Sequence, residues 1–144
     1  MDAKRIVTGA LVGGVAMYLL GYLIFVLAFG GFYAANVGSA TGVDRDVPLQ
    51  WAIALGTLAL ATLVTLAVDS RPGTASMAQG FVTGGVVGFL VWMGANFIIY
   101  GASNVQTLTR TIVDPLLEFV RTGVVGAIIA AVLARGAKAA RVAT

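Results

Sequence analysis

The sequence predicts an all-α integral membrane bundle of four transmembrane helices, and three observations predict it. Apolar residues make up 59% of the 144 residues and charged residues only 10%, against about 25% charged in an ordinary soluble domain. So few charges leave the surface facing lipid. Four apolar stretches approach or exceed the roughly 20 residues that cross about 30 Å of hydrocarbon, and breaks carrying proline, glycine and charge separate them. The basic residues also gather at alternate ends of those stretches, as in multi-pass proteins. At this length the chain forms one domain, 1–144.

The first span covers about 6–30 and holds no charge. A signal peptide is the rival reading, because Lys4 and Arg5 make a basic start and Gly38-Ser39-Ala40 offers small residues for cleavage. A signal core is only about 7 to 15 apolar residues long, and this stretch exceeds it. The second span runs over 48–68: Asp46 is placed to cap it, Pro48 fits its first turn, and Trp51 sits at interface depth. Asp69-Ser70-Arg71-Pro72-Gly73 breaks it, and so short a loop makes the second and third spans antiparallel neighbours. The third span covers 77–100, opened by the capping-box pair Ser76 and Gln79 and ended at Gly101. Asp114-Pro115 predicts the start of the fourth, which runs to 134.

Lys4, Arg5, Arg71, Arg135, Lys138 and Arg141 fall on one side of the spans and only Arg45 and Arg110 on the other. Basic residues are retained in the cytoplasm, so both termini are expected there. The run Thr8-Gly9-Ala10-Leu11-Val12-Gly13 in the first span echoes Thr83-Gly84-Gly85-Val86-Val87-Gly88 in the third. The echo predicts two hairpins of the same orientation, a parallel repeat.

Composition also excludes. The net charge of +3 comes from basic residues scattered at span ends, with no stripe to track nucleic acid. No cysteine and no histidine remove disulfides, thiolate chemistry, the usual metal ligands and the commonest general base, so no cofactor or metal is expected. No phosphate loop, HExxH or GxSxG motif is present. Small multidrug-resistance exporters also have four short spans, but they carry a working glutamate in the first, where this chain has no acid.

Two constellations remain. Gly80, Gly84 and Gly88 share one face of the third span with Ala95, and the first span has Gly9 and Gly13, with Gly14, Gly21 and Ala28 at seven-residue spacing. Small residues at such spacing let helix backbones approach closely in lipid, within the chain or across a homo-oligomer seam. The second constellation is charged: Arg110, Asp114, Glu118 and Arg121 lie along one face of the fourth span. Only thirteen residues, 122–134, separate Arg121 from Arg135, about 20 Å of helix at 1.5 Å per residue. Glu118 and Arg121 therefore sit below the interface, either satisfying each other as an ion pair or lining a polar cavity open to the outside. Candidate walls for such a cavity are Tyr18, Tyr22, Gln50, Thr57, Asn96 and Tyr100, all in the outer half of their spans.

Leu20-Gly21-Tyr22-Leu23-Ile24-Phe25, Phe32-Tyr33-Ala34-Ala35-Asn36, Val43-Asp44-Arg45-Asp46-Val47-Pro48, Asn96-Phe97-Ile98-Ile99-Tyr100-Gly101 and Val113-Asp114-Pro115 together resemble a family of small uncharacterised bacterial four-helix inner-membrane proteins, a domain of unknown function. The resemblance implies a bacterial inner-membrane bundle and carries no activity. The expectation is a non-enzymatic membrane protein, a ligand- or lipid-binding or accessory subunit partnered by membrane lipids and by its own copies or a larger complex. The alternative is a small oligomeric transporter or channel with a polar path along the fourth span. A membrane enzyme using Glu118 as acid or base and Arg121 as anion holder ranks last, since no nucleophile accompanies them.

Overall fold

Lys4 N donates to Asp2 Oδ1 (3.0 Å), a side-chain cap that opens helix α1, Ala3–Gly21. A computed structural model describes residues 2–70 and 75–142, with side chains as far as residue 136. The expected positions Arg71, Pro72 and Gly73 and the side chains of Lys138 and Arg141 lie outside the described residues. α1 continues as a π-helical segment, Tyr22–Ala28, in which Phe29 N reaches back five residues to Ile24 O (2.8 Å). Phe29 breaks the helix, and a short α2, Gly30–Ala35, follows. The single unbroken span predicted over 6–30 is thus helical for longer and changes pitch midway.

Helix α3 is Gln50–Asp69, α4 is Met77–Ala102 and α5 is Leu108–Val142. Four helices, Ala3–Ala28, Gln50–Asp69, Met77–Ala102 and Leu108–Gly136, are long and apolar enough to cross a membrane. The chain is a multi-pass membrane protein, and its fold is an all-α four-helix bundle. Three predicted boundaries need correction. α3 starts at Gln50 behind a Leu49 cap that lends no side-chain bond, so Asp46 caps nothing. α4 runs past Gly101 to Ala102, where Ser103 N and Oγ both bond Ile99 O and close it. α5 starts at Leu108, because Thr107 Oγ1 accepts from Arg110 N (3.2 Å) and Thr107 O accepts from Thr111 N (3.0 Å). Asp114 and Pro115 therefore lie inside the helix, where proline has no N–H to return to the Thr111 carbonyl. The Ser76–Gln79 capping box forms as expected, with bonds of 2.9 and 3.2 Å.

The bundle is two hairpins, α1 with α3 and α4 with α5, whose internal contacts are its most extensive. α1 also touches α5, and α3 touches both α4 and α5, which sets α1 and α4 at opposite corners. The glycine echo does not carry over position by position: Gly84, which matches Gly9, meets the Thr122 carbonyl, and Gly13, which matches Gly88, meets Ile129 and Ala61. Gly9 of α1 faces Thr65 of α3, and Gly88 of α4 faces Thr122 of α5, each so closely that a Cβ would overlap the threonine side chain. The seven-residue seam of Gly14, Gly21 and Ala28 is split by comparison: Gly14 meets Leu58 of α3, Gly21 meets Arg121 of α5, and Ala28, in the π segment, is exposed. The apolar core lies midway along the bundle, around Met17, Ala61, Val64, Val125 and Ile129.

Arg5 locks the end that carries the chain termini. Its Nη2 and Nε bond Asp69 Oδ1 at 2.7 and 3.0 Å while Nη1 reaches Leu133 O at 3.3 Å, joining α1, α3 and α5. Arg5→Met is expected to lower stability by about 1.5 kcal/mol, the low end for charge-assisted bonds because the guanidinium is partly exposed. Thermal unfolding in detergent micelles checks this, and an unchanged midpoint would show the pair to be inert.

Candidate functional site

The polar residues of the opposite, loop end form a column along α5 in two tiers. Counting from Arg135 at 1.5 Å per residue, Asp114 lies roughly 30 Å away, Glu118 roughly 25 Å and Arg121 roughly 20 Å. The lower tier is the ion pair. Arg121 Nε and Nη2 meet Glu118 Oε2 and Oε1 at 3.0 and 2.9 Å, a two-point contact that the three-residue spacing brings into register. Glu118 is 2% and Arg121 6% exposed, so neither meets water. The Arg121 guanidinium lies 5.0 Å from the centroid of the Phe25 ring, a cation–π contact. A Cβ on Gly21 would stand 2.7 Å from Arg121 Nη1, so a larger residue there would push that arm aside.

The upper tier centres on Asp114, which accepts a 2.6 Å bond from Asn96 Nδ2 and a short bond from the Tyr33 hydroxyl. Gln106 Nε2 donates to Asn96 O (3.2 Å) and to Thr111 Oγ1 (3.0 Å), sealing the tier from above. Arg110 stands 5.0 Å over the Tyr33 ring, and Phe25 meets Tyr33 edge to face at 5.4 Å. Two aromatic rings in edge-to-face contact, Phe25 of the first span and Tyr33 of α2, thus bridge two arginines of α5. The pitch change at Tyr22–Ala28 and the break at Phe29 are what turn both rings toward that face; π segments often occur where a helix must re-aim side chains.

The loops close over the column. Gly38 N bonds Val105 O (3.1 Å), Ala40 N bonds Asn104 O (3.0 Å), and Thr107 N and Oγ1 bond Asn36 O and Oδ1 (3.3 and 3.1 Å). A Cβ on Gly38 would overlap the Asn104 carbonyl, which explains glycine there. The small residues considered as a cleavage site are thus part of a loop-to-loop bridge.

Of the sequence-predicted positions, Asn96, Asp114, Glu118 and Arg121 come together in this column. Tyr18 and Tyr22 do not. Tyr18 donates a 2.6 Å bond to Gln50 Oε1 across the α1–α3 seam, and Tyr22 is exposed, as is Tyr100. Thr57 returns its hydroxyl to Ala54 O. Tyr33, Gln106 and Thr111 complete the site without having been singled out, and Phe25 supports it. Thr83 Oγ1 is buried without a hydrogen-bond partner, and Trp92 Nε1, which also makes no close hydrogen bond, is buried beside the Glu118 carboxylate.

Burial first, and then the Asp114 carboxylate that accepts its hydrogen bond, push the Tyr33 hydroxyl far above the usual tyrosine range. A raised value means that the stability it carries is whole below about pH 10, the unfolded value, and drains away as pH rises beyond it. Tyr33→Phe is expected to leave the tyrosinate absorbance rise between roughly pH 9 and 12 unchanged in amplitude. A reduced amplitude would place Tyr33 in contact with solvent.

Comparison with protein-family models, characterised proteins and solved structures finds no match to this chain. Its chemistry must be read from the geometry. Asp114 is held by a phenol from α2 and an amide from α4, and Glu118 by an arginine of its own helix. That set holds charge in place. An apolar groove of about 310 Å³ lies elsewhere, between α1 and α3.

Proposed function

We propose that the chain is a non-enzymatic protein of the bacterial inner membrane, one of the small four-helix proteins it resembles, with both termini in the cytoplasm. Its role in this reading is that of a lipid-binding or accessory subunit, which works through its lipid-facing surface, alone or beside other membrane proteins. One observation carries it: Glu118 and Arg121 are buried and bonded to each other, and Asp114 is held by Asn96 and Tyr33, while the groove open between α1 and α3 is apolar. A reaction or a conduction path needs a polar group that a substrate can reach, whereas a docking surface needs shape and apolar area. The uneven distribution of Lys and Arg supports the orientation.

Proteoliposomes test it. Vesicles containing the protein and a pH-sensitive dye are expected to leak protons and potassium no faster than empty vesicles. Flux above that background, abolished by Glu118→Gln, would replace this reading with that of a small oligomeric transporter whose path runs through Asn96, Asp114, Glu118 and Arg121. Purification in mild detergent is the second arm: a lone monomer stripped of both lipid and partner would count against a docking role.

A further inference from the structure

The groove between α1 and α3 identifies what it accepts by its polarity. Its walls are Leu11, Val15 and Leu19 on one side and Ala54 and Leu58 on the other, with Gly14 as the floor. Gly14 makes the slot narrow as well as deep, since a Cβ there would stand 3.2 Å from Leu58 Cδ1. Thr57 also lines it, but its hydroxyl is engaged by Ala54 O at 2.9 Å, so it adds no free polar group. Polarity enters at one end only. There Tyr18 bonds Gln50 Oε1 at 2.6 Å, and the Gln50 amide keeps two N–H donors without a partner among the described residues. Trp51, next in sequence and 68% exposed, is an aromatic anchor at the same height.

We infer that this groove is the seat of one phospholipid acyl chain, with the ester carbonyl of that chain accepting a hydrogen bond from the Gln50 amide. The inference deepens the lipid-binding reading above and rests on it. A transmembrane helix is about 10–12 Å across with its side chains and does not enter a slot of about 310 Å³ between two packed helices. An extended hydrocarbon does. No charged side chain lines the groove, so the recognised end is a neutral acceptor at interface depth, which describes a glycerol ester better than a phosphate. Leaving bulk lipid for this groove brings no hydrophobic gain, because lipid tails are as apolar as leucine. Retention therefore depends on fit and on the single amide bond.

Native mass spectrometry of the full chain released from phosphatidylcholine nanodiscs tests this. The wild type is expected to keep one phosphatidylcholine at activation energies that strip the others. Ala54→Phe fills the slot from a side chain that is exposed, and it is expected to reduce that retention at least tenfold. Val15→Phe does the same from the facing wall, so the result does not depend on one variant's fold. Gln50→Leu, and wild type in dialkyl ether phosphatidylcholine, which lacks the carbonyl, should each weaken retention several-fold. Undiminished retention in both phenylalanine variants, or no retained lipid in the wild type, overturns the inference without touching the flux result. A dimer of the chain that Ala54→Phe dissociates also overturns it, by showing the groove to be a protein interface.

Discussion

Glu118→Gln is expected to be the most damaging conservative substitution in the chain, lowering stability by about 3–5 kcal/mol because it strands a buried guanidinium. Arg121 would lose its anionic partner and one of its two acceptors, keeping at most a bond to the amide oxygen, and an arginine cannot shed its proton to escape the low dielectric. Arg121→Leu should cost less, since a carboxyl left alone can take up a proton. The double replacement Glu118→Gln with Arg121→Leu should recover most of the loss, because removing both charges removes the desolvation cost with them. Unfolding titrations of the four proteins in one detergent complete the cycle. Losses that simply add would show that the two groups stabilise the bundle through separate partners, and the paired assignment would fall.

Gly84→Leu should be nearly as severe and for a purely steric reason. A Cβ at Gly84 would run into the Thr122 carbonyl oxygen, and one at Gly80 into the Gly126 carbonyl oxygen, both of them backbone atoms of α5 that cannot rotate away. The helices must separate by ångströms, and with them the most extensive interface of the bundle. Overpacking a tight contact costs about 1–3 kcal/mol, and a backbone-limited seam belongs at the top of that range or above it. Gly94→Leu is the internal control, since nothing lies within 4 Å of a Cβ there. Thermal melts in micelles distinguish them, and equal midpoints for the two variants would contradict the seam.

The sequence announced this seam because close helix approach in lipid depends on residue size, and size at a four-residue spacing is written directly in Gly80, Gly84 and Gly88. The pair Glu118 and Arg121 was legible for a similar reason: both partners sit on one helix, so spacing alone places them together. Tyr33 was not legible. It lies beyond the end assigned to the first span, and its contact with Asp114 depends on the pitch change at Tyr22–Ala28, a backbone irregularity that apolar periodicity does not encode. Gln106 was hidden in a polar stretch that reads as loop, and only the bridge between the two long loops brings it over Asn96. The start of α5 was misplaced because aspartate followed by proline has the form of a helix opening. Thr107, seven residues upstream of Asp114, supplies the actual cap.

The order of the four ionic groups in the loop-side half of α5 has an electrical consequence. From the loop end inward Arg110, Asp114, Glu118 and Arg121 read plus, minus, minus, plus, a near-mirror arrangement with no net charge and almost no dipole along the helix axis. Moving a single charge through the full membrane field changes the energy by about 2.3 kcal/mol per 100 mV. When these four groups shift together, the work done on the two cations is cancelled by the work done on the two anions. Depolarising or energising the membrane therefore exerts almost no net force on this set of four groups.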